Sequence, residues 1–229
     1  MVRSKKVKLI RKTKRYLEKR LYQHKIPSIL IQTSKDPPLT YVVDQLKERS
    51  IGWKYIHFVD KDILQFFKDH PLKEFPKITE VFHSFEKGEH KADLFRYYFL
   101  YVKGGVFIDS DAMIEVDLDK ITRNYEFFSV DTTPIGKKAI FQGFIGCIAK
   151  HPIIYKALKD LYSIKPEELK DYSIVVKHLY TIYHAHKNAQ TILYPERWKI
   201  PSISETHDGE TVLLTHYWKK GYVPKNKKV

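Results

Sequence analysis

Two aspartates one residue apart, Asp109 and Asp111, are the residues best placed by type and spacing to do chemistry. Carboxylates that close offer hard oxygen donors, which suit Mg²⁺ or Mn²⁺ shared with phosphate oxygens better than a closed protein cage. The residues before them say why the pair would emerge together. Val106, Phe107 and Ile108 form an apolar run too short for a helix, so a buried strand is expected. In an α/β sheet the carboxyl end of a strand is where ligands and metals sit. If the extended backbone persists through Ser110, the two-residue period puts both carboxylates on one side. Upstream, Ala92 to Val102 is an unbroken run of good helix formers, closed by Gly104 and Gly105. On that helix Asp93 and Arg96 are three apart, the spacing of an ordinary surface ion pair.

The elements that must position these residues follow in chain order. Ile26 to Thr33 reads as a first core strand, and Pro37 to Arg49 as a helix with Leu39, Val42, Val43 and Leu46 on one face. Trp53 to Val59 reads as a second strand. Asp60 is positioned to cap a helix containing Ile63, Leu64, Phe66 and Phe67, and Pro71 to Phe85 reads as short helices. Beyond the aspartates, Tyr125–Val130 and Ala139–Ala149 read as strands, the second holding Gly143 and Gly146 where a ligand or another backbone approaches closely. Helices are expected over Pro152–Tyr162 and Glu167–Ala185, and a last core strand over Thr211–Thr215. This alternation predicts an α/β fold with at least partly parallel pairing.

The string from Lys91 to Val116, KADLFRYYFLYVKGGVFIDSDAMIEV, resembles the signature of glycosyltransferases that carry a D-x-D motif in their sugar-binding region. These are the Och1-like mannosyltransferases and capsular polysaccharide sugar transferases, with the glucosylating clostridial toxins more distant. Asp93, Arg96, Tyr97, Leu100, Gly104, Gly105, Asp109 and Asp111 fall on the pattern, and Phe107 stands in the usual tyrosine place. Ile26 to Thr33 resembles that family's opening segment beside the nucleotide, with Ile31 and Ser34 where the family has His and Trp. Phe141-Gln142-Gly143-Phe144 with His151-Pro152, and His216-Tyr217-Trp218, resemble later family segments more loosely.

The resemblance implies a GT-A type fold: a single nucleotide-diphospho-sugar-binding domain with a Rossmann-like central sheet flanked by helices, here residues 26–218. It implies a nucleoside diphosphate sugar as donor, a glycan, glycoprotein or glycolipid as acceptor, and hexose transfer with retention. Mn²⁺ (or Mg²⁺) would be held by Asp111, with Asp109 and His216. Donor contacts would come from Gln32, Thr33, Asp93, Arg96, Tyr97, Gly105, Asp109, Gln142 and Trp218. Tyr97, with Phe99 and Leu100, also reads as core from its helical position alone. An apolar strand followed by D-x-D equally fits the first motif of a haloacid-dehalogenase-like phosphatase, with Asp109 as nucleophile. That chemistry needs a later lysine and acidic pair, for which His207-Asp208-Gly209-Glu210 is a poor substitute.

Composition bounds the rest. A chain of 229 residues with 43% apolar and 14% aromatic residues can bury a substantial core. Its single cysteine, Cys147, excludes an internal disulfide and points to a reducing, cytoplasmic setting or to a fold that needs no disulfide. No segment reads as a signal peptide or a membrane span. Of the net charge of +14, residues 1–25 hold +10 (eleven Lys/Arg against Glu18) and the five lysines of residues 219–229 hold +5, leaving the body at about −1. A nucleic-acid reader would carry its basic face on the fold, so nucleic acid is not an expected partner. A polyanion-binding protein using the basic ends is the non-enzymatic alternative. Within residues 1–25, Leu9, Ile10, Tyr16, Leu17 and Leu21 recur at roughly helical spacing among cations. That pattern fits a helix lying peripherally on an anionic membrane, or a terminal helix packed on the domain.

Overall fold

The computed structural model describes residues 25–165, 167–171 and 173–217. The expected basic N-terminal helix, Trp218 and the C-terminal lysines lie outside the described residues.

Nine strands occur among the described residues: β1 (Ile29–Thr33), β2 (Lys54–Phe58), β3 (Gly105–Ile108), β4 (Ala112–Ile114), β5 (Phe127–Asp131), β6 (Ile140–Cys147), β7 (Thr191–Ile200), β8 (Ile203–His207) and β9 (Val212–Tyr217). The helices are α1 (Thr40–Arg49), α2 (Asp60–Asp69), α3 (Ile78–Ser84), α4 (Gly88–Lys103), α5 (Leu118–Thr122), α6 (Pro152–Ser163) and α7 (Ile174–His186). The strands form one mixed sheet in the order β2-β1-β3-β6-β5-β7-β8-β9-β4. β1 runs parallel to β2 and β3, and β5 to β7. The remaining pairs are antiparallel. This is an α/β fold of GT-A type, a central mixed sheet flanked by helices.

The long strand β7 explains how one sheet becomes two functional halves. Its first five residues pair with β5, and Glu196 onward pairs with β8. It thereby hands the chain from the main sheet to a small antiparallel sheet of β8, β9 and β4. One face of the main sheet is covered by α2, α3, α4, α6 and α7. The opposite face packs on α1, α5 and residues of β4 and β9.

α4 matters most for the site. Every residue from Asp93 to Tyr101 is buried, because the helix lies under the sheet with α3 and α6 against it. Asp93 and Arg96 share a helix face, as their spacing implies, but that face points into the protein, so they are not an ordinary surface ion pair. Gly104 closes α4 with a left-handed φ of 67°, its N–H donating to the Leu100 carbonyl. Gly105 follows at φ 111°, where a Cβ would lie 2.6 Å from the Ile29 carbonyl oxygen. Only glycine lets β3 come this close to β1. The cap of α2 also differs from expectation. Asp60 is the first helical residue, and Asp62 supplies the cap by accepting from the Val59 N–H at 3.2 Å.

His151 opens α6, its Nδ1 accepting from the Ile153 N–H at 3.3 Å and its ring stacked on Phe127. Burial pushes its pKa down to about 4. A histidine depressed in the fold loses stability on acidification, since the unfolded chain takes up a proton near pH 6.5 that the native fold refuses until about pH 4. Between pH 7 and pH 5 this should cost about 2 kcal/mol. Urea midpoints at the two pH values test it. The fall should be smaller by that amount in His151→Asn, which keeps a capping side chain.

Candidate metal and donor site

The acidic pair sits at the corner where the chain leaves β3 for β4. The Asp109 N–H donates to the Gly143 carbonyl at 2.7 Å, extending the β3–β6 ladder by one step. Its own carbonyl accepts from Ala112 N–H at 3.2 Å and from Gln32 Nε2 at 3.1 Å. The Asp111 carbonyl accepts from Tyr217 N–H at 3.0 Å. The continuous strand expected through Ser110 is thus replaced by a tight turn. It is the turn, held from both sides, that lets the two carboxylates converge.

His216 arrives from about a hundred residues downstream. β9 pairs with β4 so that His216 stands opposite Ala112, and its Nε2 lies 3.3 Å from Asp111 Oδ1. The Phe141 ring, 4.4 Å away, backs the imidazole. One ligand atom each from Asp109, Asp111 and His216 lie within 4.8 Å of one another. The aspartate side chains are 28% and 26% exposed, while His216 is buried. Burial pushes the Asp109 pKa up, the Arg96 guanidinium opposes this, and the neighbouring Asp111 charge raises it further. A carboxylate crowded in this way gains from a cation. Two carboxylates and an imidazole, open to solvent on one side, fit a divalent ion that completes its shell with outside oxygens.

Behind the pair, Arg96 is held from several directions. Its Nη2 lies 3.2 Å from Asp93 Oδ1 and 3.6 Å from Asp109 Oδ1. Nη1 donates to the Gln142 carbonyl at 2.7 Å, and the guanidinium lies over the Phe107 ring at 4.1 Å. Asp93 in turn meets His90 Nδ1 at 3.4 Å, and His90 Nε2 lies 3.1 Å from the Leu169 carbonyl. The His90 pKa is raised, chiefly by its hydrogen bond to Asp93. Asp93 and Arg96 thus form a buried brace under Asp109.

Gly143 is required by the same geometry, since a Cβ there would collide with the Asp109 carboxylate and the Phe141 ring. Gly143→Ala should therefore displace Asp109. Overpacking of this kind costs about 1–3 kcal/mol, and Mn²⁺ affinity should fall with stability. Thermal unfolding with and without Mn²⁺ measures both.

The other expected site residues are placed as follows. Gln32 is fully buried, donating to the Asp109 carbonyl and accepting from the Tyr55 hydroxyl at 2.8 Å, so it shapes the turn. Thr33 ends β1 nearby and is half-buried. Gly105 lies at the other end of β3, against β1. Tyr97 faces α6 and α7, in a small cavity with Asp160, Leu161 and His178, away from the acidic pair. Gln142 is buried beside Arg96, and its Oε1 has no hydrogen-bond partner. Glu196 is a residue that sequence reasoning misses. It is 1% exposed on β7, bonded by the Ser204 hydroxyl, and burial raises its pKa while His216 and Lys137 lower it. The Pro195 beside it hides the strand alternation that would mark it as inward-facing.

Comparisons with known proteins agree with this geometry. Residues 21–128 match the profile of the glycosyltransferase sugar-binding region containing a DXD motif. Inositol phosphoceramide mannosyltransferase 1 of Schizosaccharomyces pombe is 25% identical over 178 residues, covering 75% of this chain and 54% of that protein. Mannosyl phosphorylinositol ceramide synthase SUR1 of Saccharomyces cerevisiae is 29% identical over 140 residues, covering 59% and 35%. The chain thus spans about half or less of the length of these relatives. Among solved structures, PaToxG glycosyltransferase superposes with a TM-score of 0.51 at 14% identity, covering 80% of this chain and 77% of that one. Fold and site together define a glycosyltransferase-like protein of GT-A type with a D-x-D-like motif. In sequence it is related to mannosyltransferases.

Proposed function

We propose that the protein is a metal-dependent glycosyltransferase that moves a hexose from a nucleoside diphosphate sugar to an acceptor, with retention at the anomeric carbon. The observation that carries this is the convergence of Asp109, Asp111 and His216 at the carboxyl end of β3 in a GT-A fold. Asp111 and His216 would hold Mn²⁺ (or Mg²⁺) directly, and Asp109 would share it. When bound, the ion neutralises charge growing on the departing nucleoside diphosphate. The chain's own part is positioning. The Asp93–Arg96 brace fixes Asp109, Gln32 and Tyr217 fix the turn, and Phe141 fixes the imidazole. Such preorganisation supplies a large share of the rate gain in transferases without a protein nucleophile.

The relatives' names favour mannose as the hexose and a lipid bearing inositol phosphate as the acceptor, within the wider class of glycan, glycoprotein or glycolipid acceptors. Among the described residues no helix is long and apolar enough to cross a membrane. The phosphatase reading gains nothing from the structure. The cation that faces Asp109 is an arginine, Arg96, where that chemistry needs a lysine. Residues 208–211 form the turn between β8 and β9 rather than part of the site.

A thermal-shift screen of nucleoside diphosphates and their sugars, with and without Mn²⁺, tests the proposal. At a hundredfold excess over Kd, binding adds about 2.7 kcal/mol, a rise of roughly 5–10 °C for a domain of this size. The rise should need the metal. No shift with any nucleotide, or an equal shift in chelator, would count against it.

A further inference from the structure

The small sheet carries a row of side chains that runs from the metal site to β7. Trp198 stands opposite Ser204, Ser204 opposite His216, and His216 opposite Ala112. Directly opposed residues point to the same face of a pleated sheet, so Trp198 shares the face of the metal ligand His216. Two strand spacings separate them, roughly 10 Å.

Trp198 is 47% exposed, an unusual state for so large an aromatic surface. The ammonium of Lys137 lies 5.9 Å from its ring centroid. Lys137 comes from the loop joining β5 to β6, where its carbonyl is bound by Ala139 N–H at 2.9 Å and Thr132 Oγ1 at 2.8 Å. The cation is thus presented by an ordered loop. Glu196, two residues before Trp198 on β7 and on the same face, reaches Ser204, which stands between Trp198 and His216. Its Oε1 accepts from Ser204, while its Oε2 is buried with no hydrogen-bond partner. A buried, unused carboxylate oxygen is costly unless something donates to it.

We infer that this face is the acceptor subsite, with Trp198 as the platform for a ring polyol, Lys137 as the contact for a phosphate on that ring, and Glu196 as the acceptor for one of its hydroxyls. An exposed indole stacks on the apolar face of a ring whose hydroxyls lie at its edge. The amine beside it answers an anionic substituent on the same ring. Trp198 and His216 share this face two strands apart, so a ring on the indole would lie beside the donor held at the acidic pair. The inference rests on the transferase reading above and deepens it, by assigning the acceptor to residues of the small sheet.

Calorimetric titration of the full chain in the absence of donor tests it, using glycerophosphoinositol, myo-inositol and glycerophosphoglycerol as probes. Glycerophosphoinositol should bind at least tenfold more tightly than either of the others. Trp198→Ala and Lys137→Ala should each weaken it tenfold or more, while Trp198→Phe and Lys137→Arg stay within about threefold. Far-ultraviolet circular dichroism of each variant checks that the fold is kept. Absence of binding by the wild type, unchanged binding in Trp198→Ala, or equal binding of glycerophosphoglycerol would each overturn the assignment, the last by showing a general anion or lipid-surface contact. Because no donor is present, failure here leaves the transferase reading to be tested independently by the metal-dependent nucleotide shift.

Discussion

Asp111→Asn should reduce release of nucleoside diphosphate from the sugar donor by roughly 10²–10³-fold, the loss typical when one electrostatic partner of a developing charge is removed. The substitution keeps the size of the side chain and its carbonyl oxygen but removes the charge that answers a cation. Asp111 is a quarter exposed, and its backbone carbonyl, which receives Tyr217 N–H, is untouched by the change. The fold should therefore survive, and the unfolding temperature without metal should move little. The stabilisation by Mn²⁺ and nucleotide should disappear together. Retention of more than about a tenth of the turnover, on the scale of one 1.4 kcal/mol step, would mean that Asp111 is not a metal ligand.

The second large effect is on stability. Arg96→Ala removes the cation that stands between two carboxylates, Asp93 and Asp109, and frees the Gln142 carbonyl. Breaking a buried charge network on one side costs about 3–5 kcal/mol, because the charges left behind remain desolvated. For a chain of this length that is a fall of roughly 10 °C in the unfolding midpoint. Arg96→Lys should recover only part of it. An ammonium cannot reach Asp93, Asp109 and the Gln142 carbonyl at once, nor stack its plane on Phe107. A variant Arg96→Ala as stable as the wild type would show the brace to be energetically idle.

Much of the fold is legible in the sequence, and the reason is local chemistry. The run Val106–Ile108 is short and apolar between glycines and an aspartate, and it falls in β3. Ala92–Val102 has no breaker, and it is the centre of α4, whose ends extend to Gly88 and Lys103. The strands Ile140–Cys147 and Val212–Tyr217 fall within a residue or two of expectation. What stays hidden depends on distant partners. β4 is three residues long and exists because β9 pairs with it from about a hundred residues away. β7 and β8 fall in a stretch where Pro195 and the charges Glu196, Arg197, Lys199 and Glu205 mask the alternation. Glu196 and Trp198 are hidden with them.

The site divides the same way. The identities of Asp109 and Asp111 are plain in the sequence, but the geometry that joins them is not, because a turn rather than a strand brings them together. His216 is offered in the sequence only by a loose family resemblance; the β4–β9 register is what sets it beside Asp111. Tyr97 fits the motif, yet the helix turns its ring toward α6 and α7. A motif fixes residue types along a helix, and packing decides which of them reach the ligand.

The most direct measurement is titration of the full chain with Mn²⁺, followed by the paramagnetic resonance of the free ion, with and without a saturating nucleoside diphosphate. One ion should bind per chain, more tightly when the nucleotide is present, since its diphosphate oxygens would complete the shell left open by Asp109, Asp111 and His216. Asp111→Asn and His216→Ala should each weaken that binding at least tenfold. Finding no bound Mn²⁺ in the wild type, or binding that neither the nucleotide nor these substitutions alter, would contradict a metal-dependent transfer at this site.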